Sequence, residues 1–162
     1  MPRVLGLKYG SQKISLPLNR EVPRLTHQEP PQTTSPEKFR DLLAKQLPLP
    51  KEGIRNIGIV VADKTRLCQY PLYLPVLTAY LLDLGILPAE ITFYIAYGTH
   101  APQSEAECLE SSGETSRKFR FVHHDSQARD GFQTLGTSSR GTSVEISKAV
   151  LQHDYLLSFG AI

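Results

Sequence analysis

The feature that most restricts the fold is an alternation of short and long apolar segments between residues 56 and 98. The short runs NIGIVVA and EITFYIAYG are rich in β-branched and aromatic residues and have the length of buried strands. Between them, YPLYLPVLTAYLLDLG is long enough for a helix and is closed by Gly85. We expect this helix to start near Tyr73 or Leu74, because Pro75 is best tolerated in a first turn. Strand, helix and strand in this order predict a parallel sheet with covered faces.

The flanking segments extend this pattern to the whole chain. Residues 1–19 contain RVLGLKYG and KISLPLN, whose partial apolar alternation predicts an N-terminal β-hairpin. Residues 20–35 are rich in proline and polar residues, so we expect an extended connector there. Residues 36–162 are then the α/β domain, which opens with a helix capped by Ser35 and begun by Pro36.

The second half of this domain is predicted from shorter segments. SEAECLESSG favours a helix and KFRFVHHD favours a strand. The region from Gly131 to Gly141 is predicted to be a loop, followed by a strand (TSVEIS), a turn (KAVLQ) and a last strand (DYLLSFG). The expected fold class is therefore α/β: a Rossmann-like, largely parallel sheet with flanking helices, plus the N-terminal β-hairpin.

Composition excludes several classes of partner and location. Lysine and arginine number 18 against 16 acidic residues, and a net charge of +2 offers no basic footprint for nucleic acid or for an acidic membrane. We find neither a leader sequence nor an apolar run of about 18 residues, the length that a membrane span needs. The only two cysteines, Cys68 and Cys108, are typical of a reducing compartment. We therefore expect a cytoplasmic protein that binds neither nucleic acid nor membrane.

Polar and reactive side chains follow three successive predicted strands. The sequences are VVAD-KTR, IAYG-TH and RFVHHD. In open α/β sheets ligands bind outside the carboxyl ends of the parallel strands, where the loops converge. The residues expected to share this rim are Asp63, Arg66, Thr99, His100, His124 and Asp125.

Arg66 and Asp63 each have a functional and a structural interpretation. The planar guanidinium of Arg66 suits a carboxylate or a phosphate, although a lone arginine at a helix start is more often solvated or ion-paired. Asp63 could orient Arg66, hold a cofactor hydroxyl or cap the following helix. Their shared place at a strand end favours a site.

Three histidines are candidates for the same rim. His100 follows Gly98 and Thr99, where the backbone can approach a ligand closely and an imidazole with a pKa near about 6.5 can transfer protons. His123 and His124 are neighbours, so on a strand they point to opposite faces and we expect at most one of them to line the crevice. We assign His124 to the rim.

A metal site built only from this chain is not expected. The histidines and cysteines lack zinc-ligand spacing such as a CxxC pair or HExxH. No Walker loop, GxGxxG or GxSxG occurs, and GTSSRG is a weak anion-binding candidate.

Taken together, these segments resemble the N-terminal domain of the nickel-dependent lactate racemase family. The resemblance rests on YG near the start, DKTR after the first long strand, YGTHAP after the second, HHD after the third, and KAVLQHDYLLSFGAI at the end. It covers nearly the whole chain, in order and at compatible spacing.

The resemblance implies a racemase or epimerase of small 2-hydroxy acids that uses a nickel-pincer nucleotide held between two α/β domains. In such enzymes the cofactor takes a hydride from the α-carbon and a histidine removes the hydroxyl proton. Carried onto this chain, Arg66 looks like the substrate-carboxylate or site arginine, Asp63 like its polar companion in the active site and His100 like one general acid/base. Thr65, Gly98 and Thr99 would shape the pocket, with His124 and Asp125 on the same rim.

Family members continue into a second histidine, the lysine that tethers the cofactor and a nickel-ligand histidine. The apolar end HDYLLSFGAI also suggests that this sequence is part of a longer protein. We therefore expect the 162-residue piece to be inactive alone and to need a C-terminal domain of the same protein.

Two other functions fit the same residues. The rim could hold a carboxylate or nucleotide without catalysis, with Arg66 as the anchor and His100 as a polar wall. Alternatively, the domain could be structural or regulatory, with these residues serving as caps and ion pairs.

Overall fold

The computed structural model describes residues 3–20, 23, 34–47, 49, 53–66 and 68–160. The chain divides into two compact units, Met1–Thr33 and Thr34–Ile162. Most of the predicted connector at 20–35 lies outside the described residues. Within the described part, no helix has both the length and the apolar character to cross a bilayer.

The first unit contains an antiparallel hairpin, as predicted. Strands β1 (Arg3–Tyr9) and β2 (Gln12–Leu18) pair in a register that places Leu5 opposite Leu16 and Leu7 opposite Ile14. The turn uses Gly10 at φ +59°, which glycine adopts without steric cost. Directly opposed residues share a face, so five exposed apolar side chains lie together on one side of the hairpin: Leu5, Leu7, Tyr9, Ile14 and Leu16.

The second unit alternates strands and helices. Its elements are α1 (Pro36–Gln46), β3 (Ile57–Ala62), α2 (Tyr70–Asp83), β4 (Ile91–Ala96), α3 (Glu105–Ser112), α4 (Thr115–Lys118), β5 (Arg120–His123), β6 (Phe132–Thr137), β7 (Ser143–Ser147), α5 (Lys148–Leu151) and β8 (Tyr155–Phe159). Strands β5, β4, β3 and β8 lie in that order, and each pairs with its neighbour in parallel. This sheet confirms the predicted α/β class.

The hydrophobic core lies on one face of this sheet. Ile57, Ile59 and Val61 alternate along β3 toward that face, where they belong to one buried cluster with Leu74 and Leu81 of α2. The opposite face is covered less completely than the sequence predicts. There Val60 and Ala62 are only half-buried and Leu156 of β8 is exposed.

Gly58 is the glycine of β3 on this second face. A Cβ added to Gly58 would lie 2.9 Å from Cδ2 of His153 and 2.7 Å from a methyl carbon of Leu156. The absence of a side chain therefore allows the segment between α5 and β8 to approach the strand closely.

Helix α2 begins earlier than the sequence predicts. It starts at Tyr70 rather than Tyr73 or Leu74, and Pro75 lies inside it. The proline removes one main-chain donor, while burial of Leu74, Leu77 and Leu81 stabilises the helix through tertiary contacts.

The region from Gly131 to Gly141, predicted to be a loop, contains a strand instead. Strand β6 pairs antiparallel with β7, and a register shift lies between Thr134 and Gly136. The predicted strand TSVEIS therefore exists as β7, but it forms this small ribbon and does not join the parallel sheet. The glycines that suggested a loop accompany a short, irregular strand pair.

Tyr70 connects the carboxyl ends of two neighbouring strands. Its hydroxyl accepts a hydrogen bond from Ala62 N at 2.7 Å and donates one to Phe159 O at 2.7 Å. The regular β3 and β8 pairing ends one residue earlier, at Val61 and Phe159. The hydroxyl thus lies between the two backbones where the ladder would otherwise continue.

Candidate active site

Strand β3 delivers Asp63 directly into a tight turn. The Arg66 N–H donates to Asp63 O at 3.1 Å, which closes the turn from Asp63 to Arg66. Inside it, Asp63 Oδ1 accepts from Thr65 N at 2.9 Å and from Thr65 Oγ1 at 2.5 Å. Asp63 therefore stabilises its own turn and does not cap α2, which starts seven residues later at Tyr70.

His100 is held by a second turn, after β4. The His100 N–H donates to Tyr97 O at 3.0 Å, and Gly98 between them has φ +60°. Glycine adopts this left-handed conformation readily, whereas other residues are strained in it. The turn directs the imidazole back toward β3, where His100 Nδ1 lies 2.5 Å from Asp63 Oδ2.

The Asp63 and His100 pair is buried at one end and open at the other. The side chain of Asp63 is 5% exposed, whereas that of His100 is 52% exposed. Burial by itself would raise the pKa of Asp63, but hydrogen bonds from the Thr65 hydroxyl, His100 and the Thr65 N–H outweigh it and lower that pKa. Because the ionised carboxylate only accepts, His100 Nδ1 carries a proton toward it. Among the described residues, none bonds to the other ring nitrogen, Nε2, so this nitrogen is open to an incoming group.

A tyrosine and a histidine form a second pair beside Asp63 and His100. Tyr97 is buried, and its hydroxyl accepts from Gln103 N at 3.0 Å and lies 2.6 Å from His123 Nδ1. Burial raises the pKa of Tyr97, so its hydroxyl stays protonated while it shares a hydrogen bond with His123 Nδ1. The two rings also stack with centroids 5.7 Å apart.

An open depression of about 490 Å³ brings most of the predicted rim together. Its lining includes Gly98, Thr99, His100, His123, His124 and Asp125. The expectation that at most one of the two neighbouring histidines would line the crevice is wrong. Strand β5 ends at His123, so the alternation of side chains along a strand does not extend to His124.

The loop after β5 is tied to the loop after β4. Ser126 Oγ donates to Gly98 O at 2.6 Å, and Asp125 Oδ1 accepts from Gln127 N at 2.8 Å. His124 contacts Phe132 edge to face with ring centroids 5.5 Å apart. Asp125 thus shapes its own loop, as Asp63 does.

Arg66 lines a different depression from His100. This second depression, of about 370 Å³, is formed by residues around the start of α2 and by α3, and it also includes Lys64 and Gln69. Within the part of the chain that the structure describes, the Arg66 guanidinium makes no salt bridge. Arg66 and Asp63 share one turn, but Asp63 contacts His100, which lines the first depression, whereas Arg66 lines the second.

The donor set does not provide a metal site. Among the residues with described positions, no group of three or more His, Cys, Asp or Glu could hold a metal ion. Asp63 is occupied by Thr65 and His100, and His123 Nδ1 by Tyr97. The residues that the structure describes therefore do not form a nickel centre by themselves.

The sequence predicts no site role for two residues of this region. Tyr97 falls within the predicted strand EITFYIAYG, and Gln103 directly precedes the predicted helix SEAECLESSG. Their roles depend on contacts between segments, which the spacing of YGTHAPQ does not indicate.

Comparison with known proteins identifies the chain's relatives. A family model described as the lactate racemase N-terminal domain matches residues 9–162. The lactate racemase of Thermoanaerobacterium thermosaccharolyticum is 29% identical over 160 residues, which are 98% of this chain and 34% of that protein.

Two solved structures have a similar fold. The lactate racemase apoprotein from the same organism aligns with a TM-score of 0.68 at 21% sequence identity. The alignment covers 96% of this chain and 38% of the apoprotein chain. A Thermotoga maritima protein aligns with a TM-score of 0.62 at 18% sequence identity, and the alignment covers 76% of this chain and 33% of the Thermotoga chain. The chain spans about a third of the length of the relative and structures that it matches. Since the family model covers almost the whole sequence, the chain belongs to the lactate racemase N-terminal domain family.

Proposed function

We propose that this chain supplies a proton-transferring part of the active site of a 2-hydroxy acid racemase or epimerase. The observation that carries this proposal is the buried Asp63 carboxylate bonded to the half-exposed imidazole of His100. A histidine oriented by a carboxylate at one ring nitrogen and open at the other is suited to general acid/base chemistry.

The cofactor of the complete protein would be a nickel-pincer nucleotide, as the family resemblance implies. When bound, that group supplies hydride acceptance and return at the substrate's α-carbon. The described residues do not fit a nickel centre of their own, so we assign its ligands and its attachment to the rest of the protein.

His100 would act on the substrate hydroxyl. Its Nε2 accepts the hydroxyl proton, while Nδ1–H stays bonded to Asp63, whose negative charge stabilises the imidazolium. The same nitrogen returns the proton when the carbonyl is reduced again. Asp63 keeps its charge throughout, because the hydrogen bonds that it accepts lower its pKa.

Arg66 and the surrounding loops would bind the substrate and the cofactor. The exposed guanidinium of Arg66 can form two parallel hydrogen bonds with a carboxylate. Thr65, Gly98, Thr99, His124 and Asp125 would form the polar wall of the pocket. A small 2-hydroxy acid is the substrate class that a carboxylate anchor and a proton acceptor at the same end of the sheet would match.

Inversion needs proton transfer to substrates bound in two mirror-related ways. His100 serves one of them, so we propose that a second acid/base comes from a C-terminal domain of the same protein and that residues 1–162 alone do not racemise. We also place the protein in the cytoplasm, on the grounds of its two free cysteines, Cys68 and Cys108.

The test is interconversion of D- and L-lactate by the complete protein, followed by chiral chromatography. We expect His100→Gln to lower kcat by about 10²- to 10⁴-fold, the usual contribution of a general acid/base. We expect Asp63→Asn to lower it as well, because an amide N–H facing Nδ1 would reverse the histidine tautomer. Asp83→Asn is the matched control, since Asp83 pairs with Arg40 on the exposed surface. Retention of more than about a tenth of kcat by His100→Gln would contradict the proposal.

The absence of a salt bridge to Arg66 within the described chain supports a second candidate, a carboxylate- or nucleotide-binding domain without catalysis. In that case Arg66→Ala would abolish binding of lactate or AMP measured by calorimetry. His100→Gln would leave the affinity unchanged, and neither the altered nor the unaltered protein would racemise lactate.

A further inference from the structure

Gln103 is a buried amide that joins three segments around the site. It is 6% exposed, and its side-chain oxygen accepts from Lys64 N at 2.9 Å. Its side-chain nitrogen donates to Glu107 O at 3.2 Å and to Ser111 Oγ at 2.9 Å. One side chain therefore connects the turn after β3 to two successive turns of α3.

The backbone of Gln103 makes a further connection. Its N–H donates to the Tyr97 hydroxyl at 3.0 Å, and Tyr97 O in turn receives the His100 N–H. Gln103 thus holds the turn that carries Asp63 through Lys64 and the turn that carries His100 through Tyr97. A buried group whose donors and acceptor are all used is costly to replace, because each lost partner leaves an unsatisfied polar group.

We propose that Gln103 is a positioning residue for the Asp63 and His100 pair, acting through the Lys64 N–H and the Tyr97 hydroxyl without touching the reacting atoms. This inference rests on the proposed function for its catalytic consequence. The structural part of the inference, that Gln103 fixes the position of the turn after β3, depends only on the hydrogen bonds of Gln103.

The other link between this turn and α3 is weaker. Lys64 Nζ pairs with Glu107 Oε1, but their side chains are 43% and 38% exposed. Exposed ion pairs contribute little, because solvent screens them and two long side chains must be ordered. The buried amide is therefore the contact that fixes the separation between the turn and the helix.

The test uses Gln103→Met in the complete protein, since methionine has a similar volume and lacks both polar groups. We expect hydrogen exchange of the Lys64 and Thr65 amides to become about tenfold faster, because the Lys64 N–H loses its acceptor. Exchange in β4 should stay unchanged. We expect kcat to fall about tenfold, since a small displacement of a catalytic group is costly. KM should change by less than about threefold, because the Arg66 N–H keeps its own bond to Asp63 O.

Gln133→Met is the matched control. It makes the same substitution at an exposed position of β6 that lines neither depression, and it leaves the Lys64 N–H bond in place. We expect its kcat and its exchange at Lys64 to match those of the unaltered protein. Gln103→Glu keeps an oxygen for the Lys64 N–H, so its exchange should lie closer to the unaltered protein than to Gln103→Met.

The outcomes separate the two proposals. Normal kcat and normal exchange at Lys64 in Gln103→Met would overturn the positioning role while the racemase function stood. Faster exchange spread evenly over all strands would also overturn it, because a merely structural residue acts in that way. If the unaltered protein failed to racemise lactate, the proposed function would fall, and faster exchange confined to the turn would still support the hold of Gln103 on it.

Discussion

His153 differs from His100 in what surrounds its ring. The Nε2 atom of His153 lies 2.7 Å from the Tyr94 hydroxyl, which also donates to Ala149 O at 3.1 Å. Its Nδ1 is buried, and no described group bonds to it. Burial lowers the pKa of His153, and the positive charge of Arg120 lowers it further, while Asp154 opposes both. His153 is therefore neutral in the folded chain and serves structure, whereas the open ring of His100 can exchange protons.

The lowered pKa of His153 predicts acid destabilisation. In the unfolded chain a histidine titrates near about 6.5, so below that pH the unfolded state binds a proton that the folded state resists. The free energy of unfolding should therefore fall as the pH drops below about 6.5, with a slope of at most about 1.4 kcal/mol per pH unit from this group. His153→Gln should reduce that slope in urea unfolding series between pH 7.5 and 5. An unchanged slope would show that His153 does not resist protonation.

At this scale the sequence predicts some site residues and misses others. Asp63 directly follows strand β3 and His100 lies four residues after strand β4, which suffices to place both at the same end of a parallel sheet. That His100 Nδ1 lies 2.5 Å from Asp63 Oδ2, within hydrogen-bonding distance, does not follow from the sequence. Tyr97 and Gln103 escape sequence reasoning because a buried hydrogen bond depends on which loops meet, and no local pattern encodes that.

Among the elements, α2 is the one whose contacts hold the edge of the sheet. Three of its tyrosines bond to main-chain carbonyls outside the helix: Tyr70 to Phe159, Tyr73 to Thr34 and Tyr80 to Leu47. Among the hydrogen bonds between described residues, Tyr70 is the only one of the three whose hydroxyl also accepts, from Ala62 N. It is also the more buried of Tyr70 and Tyr80, at 2% exposed against 7%.

This difference predicts unequal costs for two identical substitutions. Tyr70→Phe leaves both the Ala62 N–H and the Phe159 carbonyl without a partner, so we expect the free energy of unfolding to fall by about 2 to 4 kcal/mol. Tyr80→Phe, the matched control on the same helix, frees one carbonyl and should cost about 1 kcal/mol. Urea unfolding followed by circular dichroism measures both. Equal costs would mean that the second hydrogen bond of the Tyr70 hydroxyl adds no stability.

The elements that the sequence predicts well are those with strong apolar patterns. Strands β3 and β4 and helix α3 occur where they were expected, and α3 starts with a reciprocal cap between Ser104 and Glu107. Helix α2 starts earlier than predicted because packing overrides the penalty of an internal proline. The sequence does not predict strand β6, because Gly136 and the exposed side chains of this strand give no alternation of apolar and polar residues.

For the whole molecule, the sequence predicts the fold class but neither the order of the strands nor the exposure of the hairpin. The α/β class and the parallel sheet follow from the alternation of strands and helices along the chain. The spatial order β5, β4, β3, β8 does not follow from it, because no local pattern indicates that β8 pairs with β3. Likewise, period-two alternation predicts the N-terminal hairpin without predicting that its apolar face is exposed.

That face predicts how the chain behaves in solution. An exposed apolar cluster binds the dye ANS, and we expect Leu7→Lys with Ile14→Glu to reduce the dye's fluorescence clearly. These residues oppose each other in the register, so the new charges can pair, and the free energy of unfolding should change by less than about 0.5 kcal/mol.

Lys8→Glu is the control for this prediction. Lys8 lies opposite Lys13 on the other face of the hairpin, so the same kind of charge pair forms there without removing apolar surface. Its dye fluorescence should match that of the unaltered chain. If the double variant also left the fluorescence unchanged, the dye would be binding elsewhere on the chain.

The hydroxyl of Tyr70 also has a consequence for how the edge of the sheet responds to movement. A water molecule inserted between the ends of β3 and β8 could make the same two hydrogen bonds, but it could leave and let the gap close. The hydroxyl of Tyr70 is instead covalently part of α2, so the position of the helix determines the distance between the ends of β3 and β8. A shift of α2 along its axis would be transmitted to the backbone beside Asp63, which makes the helix a mechanical part of this edge.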